Sequence, residues 1–487
     1  MRSKAMWPAR MGLAIAVFVP LAGQVVGSTP LSQDEAESTP DVYMVRAERL
    51  VVRPGQVREN ASVLVRDGRI VQVGGADLAL PEGATEVRGA VVCASYIDPW
   101  SALGVDSGAL ADTNLVGSAR TADGLDLYTG DHLRDEALRA GVTLARLQAG
   151  WQGQIGGLGA VVRLDPQLDV AEEAVVTDSA DLAMSIGLSV DQGSQFVQGP
   201  DGSFRIISGD RAIDVFDRVS AVDKVVSNLE TGRAYRKSQL EYEHKFAEWQ
   251  KAIEKKTEEL EKDFKKAKKD RDKDVEKAKE KGKEHKDKSY KEDRKPKQPK
   301  PDPDKAVLAQ VAEGELPLVI ELHRAGEIRN LLDATKDFSR VRMILAGATE
   351  AGPMAGELAS RGIPVIVWPS LRGTNAADEF QGSDLSLAAT LRDAGVNVLL
   401  GSGGRDATAS RDLPLLAELA IGHGLSRDDA FHALTLGAAR AFGVADRVGT
   451  IELGKDADLL VLDGMPLESG SHIQYVFCGG RLAVSPN

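Results

Sequence analysis

Short apolar segments with alternating polar positions mark both ends of the chain. They cover residues 42–50, 62–65, 69–73 and 85–92 near the start, and 458–462, 475–478 and 481–484 near the end. β-Branched residues dominate them, and turn sequences such as Asp67-Gly68 separate them, which is typical of short β-strands. Because a sheet this small needs partners to bury its apolar face, we expect residues 28–93 and 447–487 to build one composite β-sandwich.

The middle of the chain alternates between helical and strand periods. Helical spacing covers 131–140, 325–335 and 355–360, and apolar runs predict buried strands at 142–147, 316–322, 341–345, 363–367 and 396–400. Repeated strand and helix units favour a parallel sheet. Their number predicts an α/β fold with a closed, TIM-like (β/α)8 barrel over residues 94–446, whose middle strands have to come from the less regular stretch 165–226.

The composition changes abruptly over residues 236–305, which hold 25 Lys or Arg and 19 Asp or Glu. An apolar stripe at helical spacing runs through this segment at Phe246, Trp249, Ile253, Leu260, Phe264 and Ala267. The stripe predicts a charged helical insertion within the barrel, followed by an extended proline-rich linker at 295–301. Two interpretations stay open: a protruding helix or hairpin that docks a partner or an anionic surface, or a charged helical insertion that lies against the body or in solvent.

The first residues have the layout of a secretory signal peptide. Arg2, Lys4 and Arg10 precede an apolar run at 13–22, and small residues follow near Gly27. We therefore expect a signal peptide at 1–27 and a periplasmic or secreted location, with an uncleaved membrane anchor as the alternative. The apolar run is shorter than the ~20 residues that span a bilayer, so no integral membrane span is expected after cleavage.

Cysteine content and charge limit the redox chemistry and the partners. Export would permit a disulfide between Cys93 and Cys478 if the chain ends meet, and two unpaired, buried thiols are the alternative. The formal net charge is -13. It argues against nucleic-acid binding, because phosphate backbones are held by an excess of clustered Lys and Arg.

Four stretches together carry a family resemblance. They are residues 63–74 with the strand into Asp98, residues 141–143 with the glycine-rich 153–162, residues 318–328 with 341–369, and residues 430–443 with 448–459. On these motifs the chain resembles the amidohydrolase superfamily, and within it the imidazolonepropionase-like branch. The last stretch, which includes Gly454-Lys455-Asp456-Ala457-Asp458, is the most specific. The resemblance covers most of the chain outside the leader and the charged insertion, and it implies a TIM-like barrel with a composite β-sandwich.

The resemblance also implies a metal site, for which most ligands are missing. Active members hold one or two divalent metals through an HxH motif after the first strand, histidines after the fifth and sixth, and an Asp after the eighth. Such a metal lowers the pKa of its bound water to about 7 and so supplies a nucleophile. In this sequence the HxH positions are Trp100 and Ala102, the sixth-strand position falls near Ala346-Gly347, and Gly403 replaces the Asp. Only His323, after the fifth strand, matches.

Other patterns that carry chemistry are weak. Four carboxylates, Asp98, Glu321, Glu350 and Asp406, are expected near strand ends, as an acid–base pair or as helix caps and loop anchors. Asp98 and His323 are the candidate catalytic residues, with a remnant polar side chain as the alternative for His323. The run from Gly153 to Gly159 lacks the strand-then-helix context of an anion-binding loop and is interpreted as a tight barrel loop.

This pattern supports three hypotheses about function. In the first, the protein is an exported amidohydrolase-like protein that lacks the usual binuclear metal centre, needs no cofactor, and binds a small molecule or a partner at the barrel mouth. In the second, it is an active hydrolase of amide or cyclic amide bonds that uses His323 and a divalent metal such as Zn. In the third, it has a structural role in a homo-oligomer or beside a related, metal-competent chain, with the charged insertion as the contact.

Overall fold

Apolar runs and turn sequences set the order of the elements. The computed structural model describes residues 42–105, 117–126, 131–148, 154–168, 171–186, 195–198, 204–207, 215–281, 294–369, 384–404 and 407–486. Strands β1 to β5 are Val42–Arg53, Gln56–Arg66, Arg69–Gly75, Thr85–Ala94 and Tyr96–Ser101. Strands β6 to β10 are Val142–Leu147, Ile155–Arg163, Val175–Ser185, Gln195–Gln198 and Phe204–Ile207. Strands β11 to β17 are Leu318–Leu322, Met343–Gly347, Val365–Val367, Val398–Leu400, Leu459–Leu462, Ile473–Cys478 and Arg481–Val484.

Most helices follow the barrel strands, as the alternating pattern predicts. Helices α1 to α5 are Asp131–Arg139, Ala171–Ala174, Val215–Lys281, Pro303–Glu313 and Ala325–Ala334. Helices α6 to α10 are Ala355–Ser360, Leu387–Asp393, Leu413–Gly422, Arg427–Leu434 and Leu436–Ala441. The start of α4 shows how local sequence places a boundary: the side chain of Asp302 accepts a hydrogen bond from Lys305 N, and Pro303 occupies the first turn. Gly314 then ends the helix in the left-handed conformation.

Eight strands form the predicted barrel, which is nearly closed. Their order around the sheet is β5-β6-β7-β8-β11-β12-β13-β14, and each ladder is parallel except the two that β7 makes with β6 and β8. The α/β barrel fold is therefore confirmed, with one reversed strand. The reversal has a simple cause: only seven residues separate β6 from β7, whereas a parallel neighbour needs a crossover of about a dozen residues or more.

The glycine-rich run is a strand in the described residues, so the prediction of a tight barrel loop is wrong from Ile155 onward. Gly156, Gly157 and Gly159 lie within β7, and Gly153 lies outside the described residues. Gly159 shows why glycine suits this strand, because a Cβ there would stand 2.5 Å from Asp181 Oδ1 and 2.9 Å from Arg146 Nη2. The glycine makes room for two charged side chains inside the barrel.

Both chain ends contribute strands to one structure beside the barrel, as predicted, and it is a single mixed sheet. Its seven strands follow the order β17-β16-β15-β4-β1-β2-β3, continuous and mixed, with β1 and β4 parallel. Cys93 on β4 and Cys478 on β16 are buried free thiols, because β15 lies between their strands. Burial raises the pKa of both thiols and disfavours the reactive thiolate. The interpretation of two unpaired thiols is therefore the one that the structure supports.

A buried ion network joins the barrel to this sheet. Arg163 on β7 pairs with Asp456 at 2.7 Å and with Asp458 at 2.9 Å, and Arg447 pairs with Asp456 at 2.8 Å. Burial lowers the pKa of Arg163, but the charge and hydrogen bonds of Asp458 outweigh it and raise the pKa overall. The motif that carries the strongest family resemblance thus holds the fold together rather than lining the barrel interior.

The charged insertion belongs to a helix that begins earlier than predicted. Helix α3 starts at Val215, 21 residues before the predicted segment, because Val222, Val225 and Leu229 extend the apolar stripe at helical spacing. These three side chains are buried in the main core with Leu308 of α4 and Leu332 of α5. Residues 294–300 have no regular secondary structure, in line with the predicted linker.

The predicted signal peptide at 1–27 lies outside the described residues. Among the helices that the structure describes, none combines the length and the apolar character that crossing a bilayer requires.

Candidate functional site

The candidate site lies at the carboxyl ends of the barrel strands, which we call the barrel mouth. It is built by Trp100 on β5, Arg146 on β6, His323 after β11, Thr349 after β12, Trp368 after β13 and Gly403 after β14. In barrels of this kind, functional side chains are placed at this end because the strand-to-helix loops converge there.

Two tryptophan rings fill one side of the barrel mouth. Trp100 stacks on Trp368 with 5.8 Å between ring centroids and an interplanar angle of 19°. The guanidinium carbon of Arg146 lies 4.6 Å from the Trp100 ring centroid, which is a cation–π contact. Both rings are buried, so an aromatic pair occupies the position that the resemblance assigns to the first metal ligand.

A buried ion pair lies beside the tryptophans, and the sequence analysis missed it. Arg146 Nε donates to Asp181 Oδ1 at 2.9 Å, Arg146 Nη2 donates to Asp181 Oδ2, and neither side chain has exposed surface. Arg146 Nη2 also donates to Gln148 Oε1 at 2.7 Å, whereas the buried Nη1 has no hydrogen-bond partner among the residues that the structure describes. Two parallel bonds fix the guanidinium plane against the Trp100 face.

Asp98, one of the two predicted catalytic residues, closes the barrel. Its Oδ1 accepts hydrogen bonds from the amides of Trp100 and Ser402, both at 3.1 Å, and its Oδ2 accepts from Ser410 Oγ at 2.7 Å. The carboxylate is fully buried. These bonds connect β5 to the residues after β14, so the contacts of Asp98 are those of a structural link between the first and last barrel strands.

His323, the other predicted catalytic residue, lies at the mouth with two polar neighbours. Its Nδ1 is 2.7 Å from Thr349 Oγ1, and its Nε2 is 3.7 Å from Glu321 Oε1. The Trp368 ring meets the imidazole edge-on, with 6.0 Å between the centroids. His323 is buried, whereas Thr349 is half-buried. The structure therefore brings His323 together with Glu321, one of the predicted strand-end carboxylates, and with Thr349.

Of the two remaining predicted carboxylates, one caps a helix and the other lies outside the described residues. Glu350 Oε2 accepts from the amide of Ala325 at 2.8 Å and so caps helix α5, while its buried Oε1 has no hydrogen-bond partner within the described ranges. Asp406 lies outside the described residues. Glu350 is thus a helix cap, which was the structural interpretation of these carboxylates.

The side chains at the barrel mouth do not fit the binuclear metal centre of the family. A Cβ at Gly403 would stand 3.1 Å from Trp368 Cγ, so the tryptophan leaves little room for a carboxylate where the family has its Asp. Trp100 and Ala102 offer no ligand atom. Among the described residues, no group of three or more His, Cys, Asp or Glu side chains is arranged to hold a metal ion.

Sequence signals existed for only some of the missed residues. Arg146 and Asp181 are single charges inside otherwise apolar strand patterns, and a buried charge of this kind needs an opposite partner. They pair across the intervening strand β7, where Gly159 leaves room for both side chains. Thr349 and Trp368 carry no distinguishing local pattern, since only the barrel brings them next to His323.

Comparison with known proteins agrees with this fold. The sequence profile of the Amidohydrolase family matches residues 270–483. The chain is 46% identical over 56 residues to an imidazolonepropionase from Syntrophobacter fumaroxidans, and 40% identical over 82 residues to one from Porphyromonas gingivalis. These matches cover 11% and 16% of this chain, and span only 13% and 19% of the length of the two relatives.

A solved structure extends the likeness over the whole fold. The amidohydrolase from Thermotoga maritima MSB8 superposes with a TM-score of 0.66 at 21% identity, over 91% of this chain and 100% of that one. The architecture is therefore that of an amidohydrolase barrel with a separate β-sheet made from both chain ends. The family profile, which matches the C-terminal part of the chain, agrees with this amidohydrolase fold.

Proposed function

We propose that the protein is an exported member of the amidohydrolase superfamily that binds a small molecule or a partner at its barrel mouth, without the binuclear metal centre. The observation that carries this proposal is the Trp100–Trp368 stack with Arg146 on its face. An aromatic surface beside a few fixed polar groups is the usual composition of a small-molecule site. Export is supported by the basic and apolar leader at residues 2–22.

Metal content tests the absence of the centre. We expect the purified protein to retain far less than one Zn, Fe or Mn per chain after dialysis, because the ligand set is incomplete. The matched variants are His323→Ala, at the barrel mouth, and His423→Ala, an exposed histidine at the end of α8. Stoichiometric metal in the native protein that disappears in His323→Ala and persists in His423→Ala would contradict the proposal.

Ligand binding is tested by tryptophan fluorescence. N-acetyl amino acids and lactams are suitable probes, since the family resemblance points to amide groups. We expect a saturable change in emission with a responsive probe, reduced in Trp100→Phe and preserved in Trp249→Phe, because Trp249 lies on α3. A response that Trp100→Phe leaves intact, or no response across the panel, counts against binding at the mouth.

The contacts of His323 favour a second candidate, an active hydrolase of amide or cyclic amide bonds. A buried imidazole between a hydroxyl and a carboxylate is an arrangement that supports acid–base chemistry. Turnover of the same lactams and N-acetyl amino acids that is abolished by His323→Ala would establish it. If that turnover also required an added divalent metal such as Zn, the metal-free proposal would fail with it.

A third candidate is assembly through the distal part of α3, in a homo-oligomer or with a related chain. Tyr242, Phe246 and Trp249 stack in series along this helix, with centroids 5.8 and 5.5 Å apart. Lys295 Nζ lies 5.1 Å from the Phe246 ring, so the chain returns beside the stack, and residues 242–295 can be replaced by a short Gly-Ser linker that removes it. After this deletion we expect an assembly with fewer chains. An unchanged number of chains would contradict assembly through α3.

A further inference from the structure

The turn after strand β12 places a hydroxyl in an unusual backbone setting. Gly347 and Ala348 both have positive φ, at 77° and 42°, and Thr349 follows them directly. A non-glycine residue in this region is strained, because its Cβ comes too close to the following carbonyl oxygen. Such strain persists only where the surroundings hold it, and it concentrates at functional sites.

The surroundings do hold this turn. Ala348 N donates to Leu322 O at 2.7 Å, Glu350 N donates to His323 O at 3.0 Å, and the Glu350 carboxylate is fixed on the amide of Ala325. The turn is therefore attached to the end of β11, the strand that carries Glu321 and leads directly into His323. Strand, strained turn and hydroxyl follow one another here as in the nucleophile elbow of other hydrolases.

Thr349 and His323 are in hydrogen-bond contact. Thr349 Oγ1 lies 2.7 Å from His323 Nδ1, and the Glu321 carboxylate lies 3.7 Å from Nε2 on the opposite side of the ring. In the tautomer with its proton on Nε2, the nitrogen that faces this carboxylate, Nδ1 is left to accept the hydroxyl proton. This is the contact between nucleophile and base that hydroxyl-based acyl transfer needs.

We infer that Thr349 is a nucleophile that accepts an acyl group from small, activated carboxylic esters, with His323 as general base and Glu321 as a positioning residue. Thr349 Oγ1 attacks the ester carbonyl carbon while its proton moves to His323 Nδ1. The bond between that carbon and the leaving oxygen breaks, and the leaving oxygen takes the proton from His323. Water then attacks the acyl carbon and gives a proton to His323. The bond from that carbon to Thr349 Oγ1 breaks, Oγ1 takes the proton back from His323, and the carboxylic acid is released.

The inference rests on the proposed function in one respect, because the barrel mouth has to admit a small molecule. It needs no metal, since the nucleophile and the base are both side chains of this chain. It also assigns a role to Thr349 that the family's metal-bound water would otherwise fill.

The experiment uses the full chain and p-nitrophenyl acetate, in buffer with a chelator. We expect release of p-nitrophenolate together with a one-acetyl increase in intact mass, located at Thr349 by peptide mapping. Thr349→Ser should keep the reaction, Thr349→Val should remove the adduct, and His323→Gln should slow acylation by about 100-fold or more. Thr257→Val is the matched control, because Thr257 is exposed on α3 and should not matter.

Several outcomes overturn the inference. They are an acetyl group mapped to other residues, acylation of Thr349→Val at the native rate, or loss of the reaction in the presence of the chelator. If Thr349→Val does not fold, the peptide map of the native chain and the rate of Thr349→Ser decide. A lactam or N-acetyl amino acid that changes Trp100 emission without any acylation by the ester would leave the proposed binding function standing and this inference wrong.

Discussion

One ion pair, Arg146 with Asp181, is fully buried inside the barrel. Removing Arg146 and Asp181 from water costs several kcal/mol for each ion. The pair compensates through two parallel hydrogen bonds, a third bond to Gln148, and the Trp100 face over the guanidinium. Because each buried charge is compensated mainly by the other, the stability of the barrel depends on both partners being present.

We therefore expect Asp181→Ala to reduce the free energy of unfolding by about 3–5 kcal/mol, the usual cost of leaving one buried charge without its partner. The double variant Arg146→Met/Asp181→Leu should recover most of this loss, because it buries apolar atoms in place of ions. Urea unfolding of the three proteins measures both effects.

The matched control for this pair is Arg88→Ala, which removes an exposed ion pair with Glu86 on the surface of β4. It should leave the unfolding midpoint unchanged. A double variant as unstable as Asp181→Ala would show that packing around the pair, rather than the unpaired charge, sets the stability.

Gly403 gives a second prediction at this scale, since it stands where the family has a metal-binding Asp. Its φ is 89°, and a Cβ would crowd Trp368. Gly403→Asp should therefore cost about 1–3 kcal/mol and bring no retained zinc. Gly356→Ala on helix α6 is the opposite control, because its Cβ would meet no described atom within 4 Å, and it should stabilise by about 0.5–1 kcal/mol. One zinc ion retained per chain by Gly403→Asp would show that the barrel mouth can hold a metal ion.

At the scale of elements, the barrel depends on how its first and last strands join. Strand β14 pairs with β13 in a regular ladder, and the connection from its end to β5 runs through Asp98. The carboxylate accepts from two backbone amides and one hydroxyl, and Ser402 Oγ donates to Trp100 O at 3.0 Å. Side chains thus complete a closure that elsewhere in the barrel is made by backbone ladders.

Asp98→Ala should accordingly weaken the connection between the end of β14 and β5. It leaves buried donors without acceptors, each worth about 1–3 kcal/mol, so we expect a loss of at least about 3 kcal/mol in urea unfolding. Amide hydrogen exchange at Ser402 should accelerate more than at Leu345 of β12, which lies two strands away from β14. Ser410→Ala removes only one of the three bonds and should cost about 1 kcal/mol. Equal losses in the two variants would be the contrary result.

The sequence alone predicts most elements of this barrel, and the exceptions have physical causes. Strand β6 and helix α1 follow local periodicity closely, because an apolar run and an amphipathic stripe are local properties. The direction of β7 is different, since it depends on a short connection and on glycines that admit side chains from neighbouring strands. Residue patterns within a strand do not record which way its neighbours run.

Only those features of the candidate site that involve a single residue were predictable from the sequence. His323 follows β11, as its family position predicts, and the substitution of Trp100 is visible in the sequence. The contacts that define the site join residues far apart in the chain: Trp100 with Trp368, Arg146 with Asp181, and His323 with Thr349. These pairings follow from strand order around the barrel, which no local pattern contains.

At the scale of the whole molecule, helix α3 combines a packed half with a solvated half. Its first part belongs to the main core through Val222, Val225 and Leu229, and Arg233 lies over the Phe338 ring at 3.8 Å. Beyond Trp249, the side chains described as far as residue 259 are exposed except for the half-buried Ile253. Regularly spaced Lys and Glu suit such a helix to solvent, where pairs four residues apart add only a few tenths of a kcal/mol each.

Shortening a side chain in the packed half of α3 should therefore affect stability, whereas shortening one in the solvated half should not. Leu229→Ala should destabilise the barrel by about 2–5 kcal/mol, because it leaves a cavity between α3 and its neighbours. Ile253→Ala should leave the main unfolding transition unchanged, because its side chain contributes to no buried cluster that the structure describes. Thermal unfolding followed by circular dichroism separates the cases, with helix content read independently of barrel melting. Equal destabilisation by both variants would mean that the distal half of α3 packs against the body, and that the charged insertion is part of the barrel's support.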